Sequence, residues 1–348
     1  MKNFIFMILF SVFMLGLTAC SGGSSGDGTV SICTSNSIVG TFNTDEATLD
    51  VSIDGNTTVV ALGSRGVGIF DTSRKNRPEL LIKLDQDAIV YSAKVHDNHM
   101  YMYLKSDSTY YLRIVDISDV FNPKKKSDIP FVNISITTKL IKSNWIEFEG
   151  DFIHLVGTIT AVTGNYHIID VSDKADPVIE SSMTIEEGCG GVNGIINEIK
   201  IKDDLAYIGS YKGIDVIDFS DRENPDLVSE TLSGCTYKSF DMSGDVLYSA
   251  VGYSLYSYDI AKATELPGLG NITSTSTKYI LVSEINGTAY TLGLNGEISI
   301  SDVSKPDDMK DTSQDIFVNP NAYRIVDDNG YIYVADEAGL KIIDTCIR

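Results

Sequence analysis

The stretch Leu112-Arg113-Ile114-Val115-Asp116-Ile117-Ser118-Asp119-Val120-Phe121-Asn122-Pro123 holds an aliphatic strand ending on Asp, a Ser two residues on, and a Pro seven residues after the Asp. The same pattern of aliphatic residues closing on Asp recurs at Gly68–Asp71, Tyr166–Asp170, Ile214–Asp218, Leu255–Asp259, Ile298–Asp302 and Leu340–Asp344. The seven Asp positions lie 45, 54, 48, 41, 43 and 42 residues apart, a period of about 45 that fits one four-stranded propeller blade.

A second column precedes each Asp: Val59, Tyr101, His154, Tyr207, Tyr248, Tyr290 and Tyr333, flanked by alternating apolar residues. Period-two alternation predicts half-buried strands. Just before this column stand turn formers such as Asp97-Asn98, Asn286-Gly287 and Asp328-Asn329-Gly330, which tolerate the positive φ of tight hairpins. Each unit therefore predicts strand, tight turn, strand with the Tyr column, loop, strand ending at Asp, an Asp-x-Ser turn and a fourth strand. Pro78, Pro123, Pro177 and Pro225 start that fourth strand, an edge where a missing N–H is harmless. The predicted fold is all-β, a seven-bladed β-propeller over residues 31–348. Copy seven stops at Asp344-Thr345-Cys346, and Ser37–Phe42 supplies the strand it lacks, so the N-terminal strand is expected to close the last blade.

These residues resemble the LVIVD-repeat family of bacterial propellers, whose unit runs roughly Leu-x-Ile-Val-Asp-Val-Ser-Asp-x-x-x-Pro. Leu112–Pro123 and Tyr166–Pro177 match nearly throughout. Copy five departs at Ala261 and Pro267, and copy six carries Pro306 early. The resemblance implies a fold and little chemistry, since members are mostly surface or secreted proteins.

Residues 1–19 form a predicted signal peptide, with Lys2 followed by an apolar run and then Leu17-Thr18-Ala19-Cys20, which resembles a bacterial lipobox. Cys20 is the expected lipidation site, and residues 20–30, rich in Ser and Gly, form a flexible tether. The expected location is the bacterial outer membrane, lipid-anchored and facing the periplasm or the outside. Four further Cys suit an oxidising compartment. Three pairings are possible; the blade register favours Cys33 with Cys346, clasping the closure, and Cys189 with Cys235, one period apart. A formal net charge of −21 repels nucleic-acid backbones, and no nucleic-acid partner is expected.

Seven residues before the Tyr column fall Ser52, Lys94, Glu147, Lys200, Asp241, Ser283 and Val326; eight before it fall only apolar residues. Apolar side chains must pack between blades, so the polar set is expected to line the axial channel, with Trp145, Glu198 and Arg324 two residues nearer one mouth. The ring either neutralises itself as filler or takes a small polar ligand. The four His show no metal spacing, His154 occupies a packing position, and no nucleophile, base and acid assemble. No catalytic residue, metal or cofactor is therefore predicted. The chain reads as a monomeric, non-enzymatic binding scaffold for an envelope or extracellular protein. The alternative is a hydrolase or oxidoreductase with an axial active site, by analogy of fold alone.

Overall fold

The computed structural model describes residues 37–44, 47–131, 145–158, 163–186, 196–210, 212–231, 239–262, 265–273 and 279–345. They form seven four-stranded antiparallel sheets. Blades 1 to 6 each take four consecutive strands, and the innermost strands are Asp50–Asp54, Ile89–His96, Ile146–Glu149, Ile196–Lys202, Ser239–Ser243 and Tyr279–Ile285. Blade 7 starts at Arg324–Asp328 and ends on the N-terminal strand Ser37–Asn43, which pairs antiparallel with Gly339–Asp344. This joins the two ends of the propeller, so the ring has no open blade edge between blades 7 and 1. Thr48 then fixes the chain to blade 7, its hydroxyl donating to the carbonyls of Asp336 and Gly339 at 2.9 and 2.8 Å.

The two sequence columns build this geometry. In the inner hairpins, Asp97 and Asn98 take φ of 48° and 58°, and Asn286 and Gly287 take 49° and 80°. These left-handed values match the strand twist, which is why Asn, Asp and Gly stand there. The residue after each repeat Asp donates its amide to the adjacent hairpin turn: Thr72 to Asn56, Ile117 to Asn98, Val171 to Asp151, Phe219 to Asp204, Ile260 to Asp245, Val303 to Gly287 and Thr345 to Gly330, all at 2.8–3.1 Å. Both turns of every blade therefore share one face.

The Asp-x-Ser turn is closed by a side chain to backbone hydrogen bond in which the Asp supplies the side chain. The Asp carboxylate accepts from the backbone amide two residues on, at 2.8 Å from Ser73, 3.0 Å from Ser118 and 2.8 Å from Ala261. Ala261 thus replaces Ser in copy five without losing the bond. The amide holds Asp71 and Asp218 below the usual carboxylate range.

The Tyr column joins neighbouring blades. The Tyr248 hydroxyl of blade 5 donates to the Val303 carbonyl of blade 6 at 3.1 Å, and His154 of blade 3 lies 4.4 Å from the Phe219 ring of blade 4. The apolar column Val51, Ala93, Ile146, Ile199, Phe240, Val282 and Ile325 is buried throughout.

Candidate functional site, an axial cup

Ser52, Lys94, Glu147, Lys200, Asp241, Ser283 and Val326 pair directly with the Tyr column across the inner hairpins, for example Lys94 with Tyr101 and Lys200 with Tyr207. All seven line one axial cavity of about 240 Å3. The alternation of the inner strands is the cause: with the apolar parity packed between blades, the other parity can only face the axis.

The floor of the cavity is an ion-pair layer. Arg324 of blade 7 donates from Nη1 to Glu198 Oε1 of blade 4 at 2.9 Å. These blades stand on opposite sides of a seven-membered ring, so the pair crosses the axis. Asp50 of blade 1 completes the layer. Its fully buried carboxylate accepts from Val51 N at 2.9 Å, Ser92 Oγ at 2.6 Å and Lys94 Nζ at 3.4 Å, and lies 3.7 Å from Arg324 Nε. Ser239 adds a hydroxyl to Glu198 at 3.3 Å. Such buried charges persist only when each is paired and hydrogen-bonded. Burial pulls the Lys94 ammonium down despite Asp50, whereas Glu198 and Asp50 outweigh burial and hold Arg324 up.

Above this floor Lys200 Nζ meets Asp241 Oδ1 at 2.8 Å. Burial opposes the charge on Lys200, but Asp241, Glu147 and Glu198 outweigh it and raise its pKa. The second Asp241 oxygen accepts from Glu284 N at 2.8 Å. Asp327 accepts from Ser283 Oγ at 3.0 Å and stays exposed to the solvent inside the cup. Surrounding protein and the nearby Asp241 charge push its carboxyl up. Ile53, Val95, Phe148 and Val326 supply apolar wall.

Of the expected axial residues, Lys94, Glu147, Lys200, Asp241, Glu198 and Arg324 line this cavity, and Trp145 does not. Trp145 is buried among aromatic rings between blades, 5.5 Å from Tyr103 and 6.3 Å from Tyr91, with Nε1 donating to Ile196 O at 3.4 Å. A large indole gains more from that apolar contact than from a layer already filled by Arg324 and Glu198. Sequence reasoning missed Asp50 and Asp327. Asp50 stands two residues before Ser52, the same offset that singled out Glu198 and Arg324, so the pattern held its signal. Cys20, Cys33, Cys189, Cys235 and Cys346 lie outside the described residues. Among the described residues, no group of three or more His, Cys, Asp or Glu can hold a metal ion.

His154 is fully buried with Nδ1 2.6 Å from the Tyr166 hydroxyl, and burial lowers its pKa to about 3, aided by Arg222. It is neutral packing, as its place in the Tyr column suggested.

Seven antiparallel four-stranded blades around a charged axial cup define a β-propeller. The LVIVD repeat family matches residues 159–184, 193–232 and 321–345, which fall in blades 3, 4 and 7. No curated protein matches the chain. Among solved structures, the chain is similar to the computationally designed Ika8 protein, with TM-score 0.58 and 9% identity over 88% of this chain and 99% of that one. It is also similar to Sqt1 of Saccharomyces cerevisiae, with TM-score 0.57 and 9% identity over 89% and 98% of the two chains. BamB from Moraxella catarrhalis matches with TM-score 0.54 and 13% identity over 87% and 84%. At such identities the likeness is one of fold.

Proposed function

We propose that the protein is a lipid-anchored lipoprotein of the bacterial outer membrane that acts as a monomeric, non-enzymatic binding scaffold through its propeller loops and axial cup. One observation carries the binding reading. Three of the axial carboxylates are held in ion pairs, Glu198 by Arg324, Asp50 by Lys94 and Arg324, and Asp241 by Lys200. Carboxylates fixed in this way form a rigid charged surface, whereas a general acid or base needs a pKa near the working pH and access to substrate. The lipobox-like Leu17-Thr18-Ala19-Cys20 supports anchoring through Cys20, with the propeller facing the periplasm or the outside.

The test is cross-linking and affinity capture of the lipidated protein in its native membrane, beside a Cys20→Ala variant. The expected outcome is a specific envelope or extracellular protein partner, and release of the variant from the membrane fraction. Retention of Cys20→Ala in the membrane overturns the anchor. Turnover of a substrate that depends on Glu147 or Asp241 overturns the scaffold.

The same compartment carries two disulfides, Cys33 with Cys346 and Cys189 with Cys235. Non-reducing peptide mapping checks them, and any crossed pairing refutes this assignment.

A further inference from the structure

We propose that the axial cup binds a single sugar-sized polyol, neutral or amino-substituted, and discriminates against its acidic counterpart. This inference rests on the binding reading above and supplies the ligand class.

Size comes first. A cavity of about 240 Å3 suits one sugar ring and is smaller than a drug-sized pocket. The floor of paired charges between blades 4 and 7 makes it a cup with one end closed by Arg324 and Glu198.

The lining then decides the chemistry. Donors and acceptors alternate around the ring, from Lys94 in blade 2 to Glu147, Lys200 and Asp241 in blades 3 to 5, and a hydroxyl can serve either kind because it both donates and accepts. Spare capacity exists on both sides. Arg324 is 6% exposed and lines the cavity. The contact of Lys94 to Asp50 is long at 3.4 Å. Asp327 offers a solvent-open carboxylate. The remaining wall is apolar: Phe148 is half-buried beside the cup, its ring stacked on His96 at 4.6 Å, and Ile53, Val95 and Val326 continue it. A sugar ring presents this same combination of hydroxyl edges and C–H faces.

Charge excludes the rivals. Five carboxylates and three cations line the cup, so an anion meets a negative excess. A bare metal ion finds no cluster of ligands among the described residues, because lysines and an arginine interleave the acids.

The experiment is calorimetry on the full-length, detergent-solubilised protein with glucose, glucosamine and glucuronate, extended to a panel of hexoses and pentoses. One-to-one binding of neutral or amino sugars is expected, with the matching sugar acid at least tenfold weaker. Asp327→Ala should weaken binding about tenfold without lowering the thermal midpoint, since its carboxylate has no ion pair to lose among the described residues. Phe148→Leu should weaken binding as well while keeping apolar volume. Absence of binding across the panel, equal binding of the sugar acid, or an unchanged affinity in Asp327→Ala overturns the inference. Capture of a protein partner alongside that failure leaves the scaffold reading standing and removes the cup ligand alone.

Discussion

Arg324 and Glu198 meet at 2.9 Å across the propeller axis although 126 residues separate them in the chain. The pair ties blade 7 to blade 4, which are separate sheets, and it forms at 6% and 1% residue exposure. Removing one partner leaves the other charge buried without compensation. Arg324→Met is therefore expected to destabilise by about 3–5 kcal/mol, and Arg324→Met with Glu198→Leu should recover much of that loss because both charges disappear together. Urea unfolding of the two single variants and the double variant checks this. Additive losses would show that the charges act separately.

One layer higher, the Lys200–Asp241 pair at 2.8 Å is less enclosed, with side-chain exposures of 24% and 11%. Water screens it in part, so the penalty should be smaller. Lys200→Met is expected to cost about 1–2 kcal/mol, and the cycle with Asp241→Leu to show a coupling of about 0.5–3 kcal/mol. A coupling within error of zero would mean that the two residues do not interact in solution as they do here.

Much of this was legible in the sequence because one constraint repeats seven times. An Asp that must accept a backbone amide, and a Tyr that must reach the next blade, leave fixed columns, and the seven-residue offset between hairpin partners follows from the strand period. That offset placed Lys94, Glu147, Lys200 and Asp241 on the axis. It failed at Trp145, where side-chain volume and aromatic neighbours override position. It also passed over Asp50, whose role depends on three different blades meeting at one carboxylate. Asp327 was invisible for another reason: at the equivalent position blades 1 to 5 carry Ile53, Val95, Phe148, Ile201 and Met242, so no column marked it.

The Tyr column offers a sharper test of the inter-blade contact. Tyr248 donates to the Val303 carbonyl at 3.1 Å, while the buried hydroxyl of Tyr207 has no partner among the described residues. Tyr248→Phe should thus cost about 1 kcal/mol, and Tyr207→Phe should be neutral or stabilising because it removes an unsatisfied polar atom. The thermal unfolding midpoint should fall in Tyr248→Phe and should not fall in Tyr207→Phe, and equal losses would contradict the contact pattern.

Closure by the N-terminal strand predicts a point defect at Gly40. A Cβ there would overlap the Lys75 carbonyl oxygen of blade 1, a backbone atom that cannot yield easily. Gly40→Ala should push the closing strand outward and destabilise by about 1–3 kcal/mol. Deleting residues 37–43 should go further and abolish cooperative unfolding, since it bares the edge of Gly339–Asp344. A melting curve unchanged by the deletion would sink the closure mechanism.

Asp215 provides the pH test. It is 2% exposed in the third strand of blade 4, and burial pushes its carboxyl up from 3.8 to about 7, with Glu230 adding to the rise and Lys212 opposing it. A carboxyl raised in the folded state binds a proton more tightly there than when unfolded. Its penalty is absent below about pH 4, where both states are protonated, grows as pH rises towards the folded value, and is complete above it. Each tenfold difference in proton affinity between the two states corresponds to roughly 1.4 kcal/mol, so the penalty at pH 8 amounts to a few kcal/mol. Asp215→Asn, which keeps the shape and cannot ionise, is expected to raise stability at pH 8 and to leave it nearly unchanged at pH 4. Denaturant midpoints of the two proteins measured from pH 4 to pH 8 should diverge with rising pH, and parallel curves would show that Asp215 ionises in the folded protein as freely as in the unfolded chain.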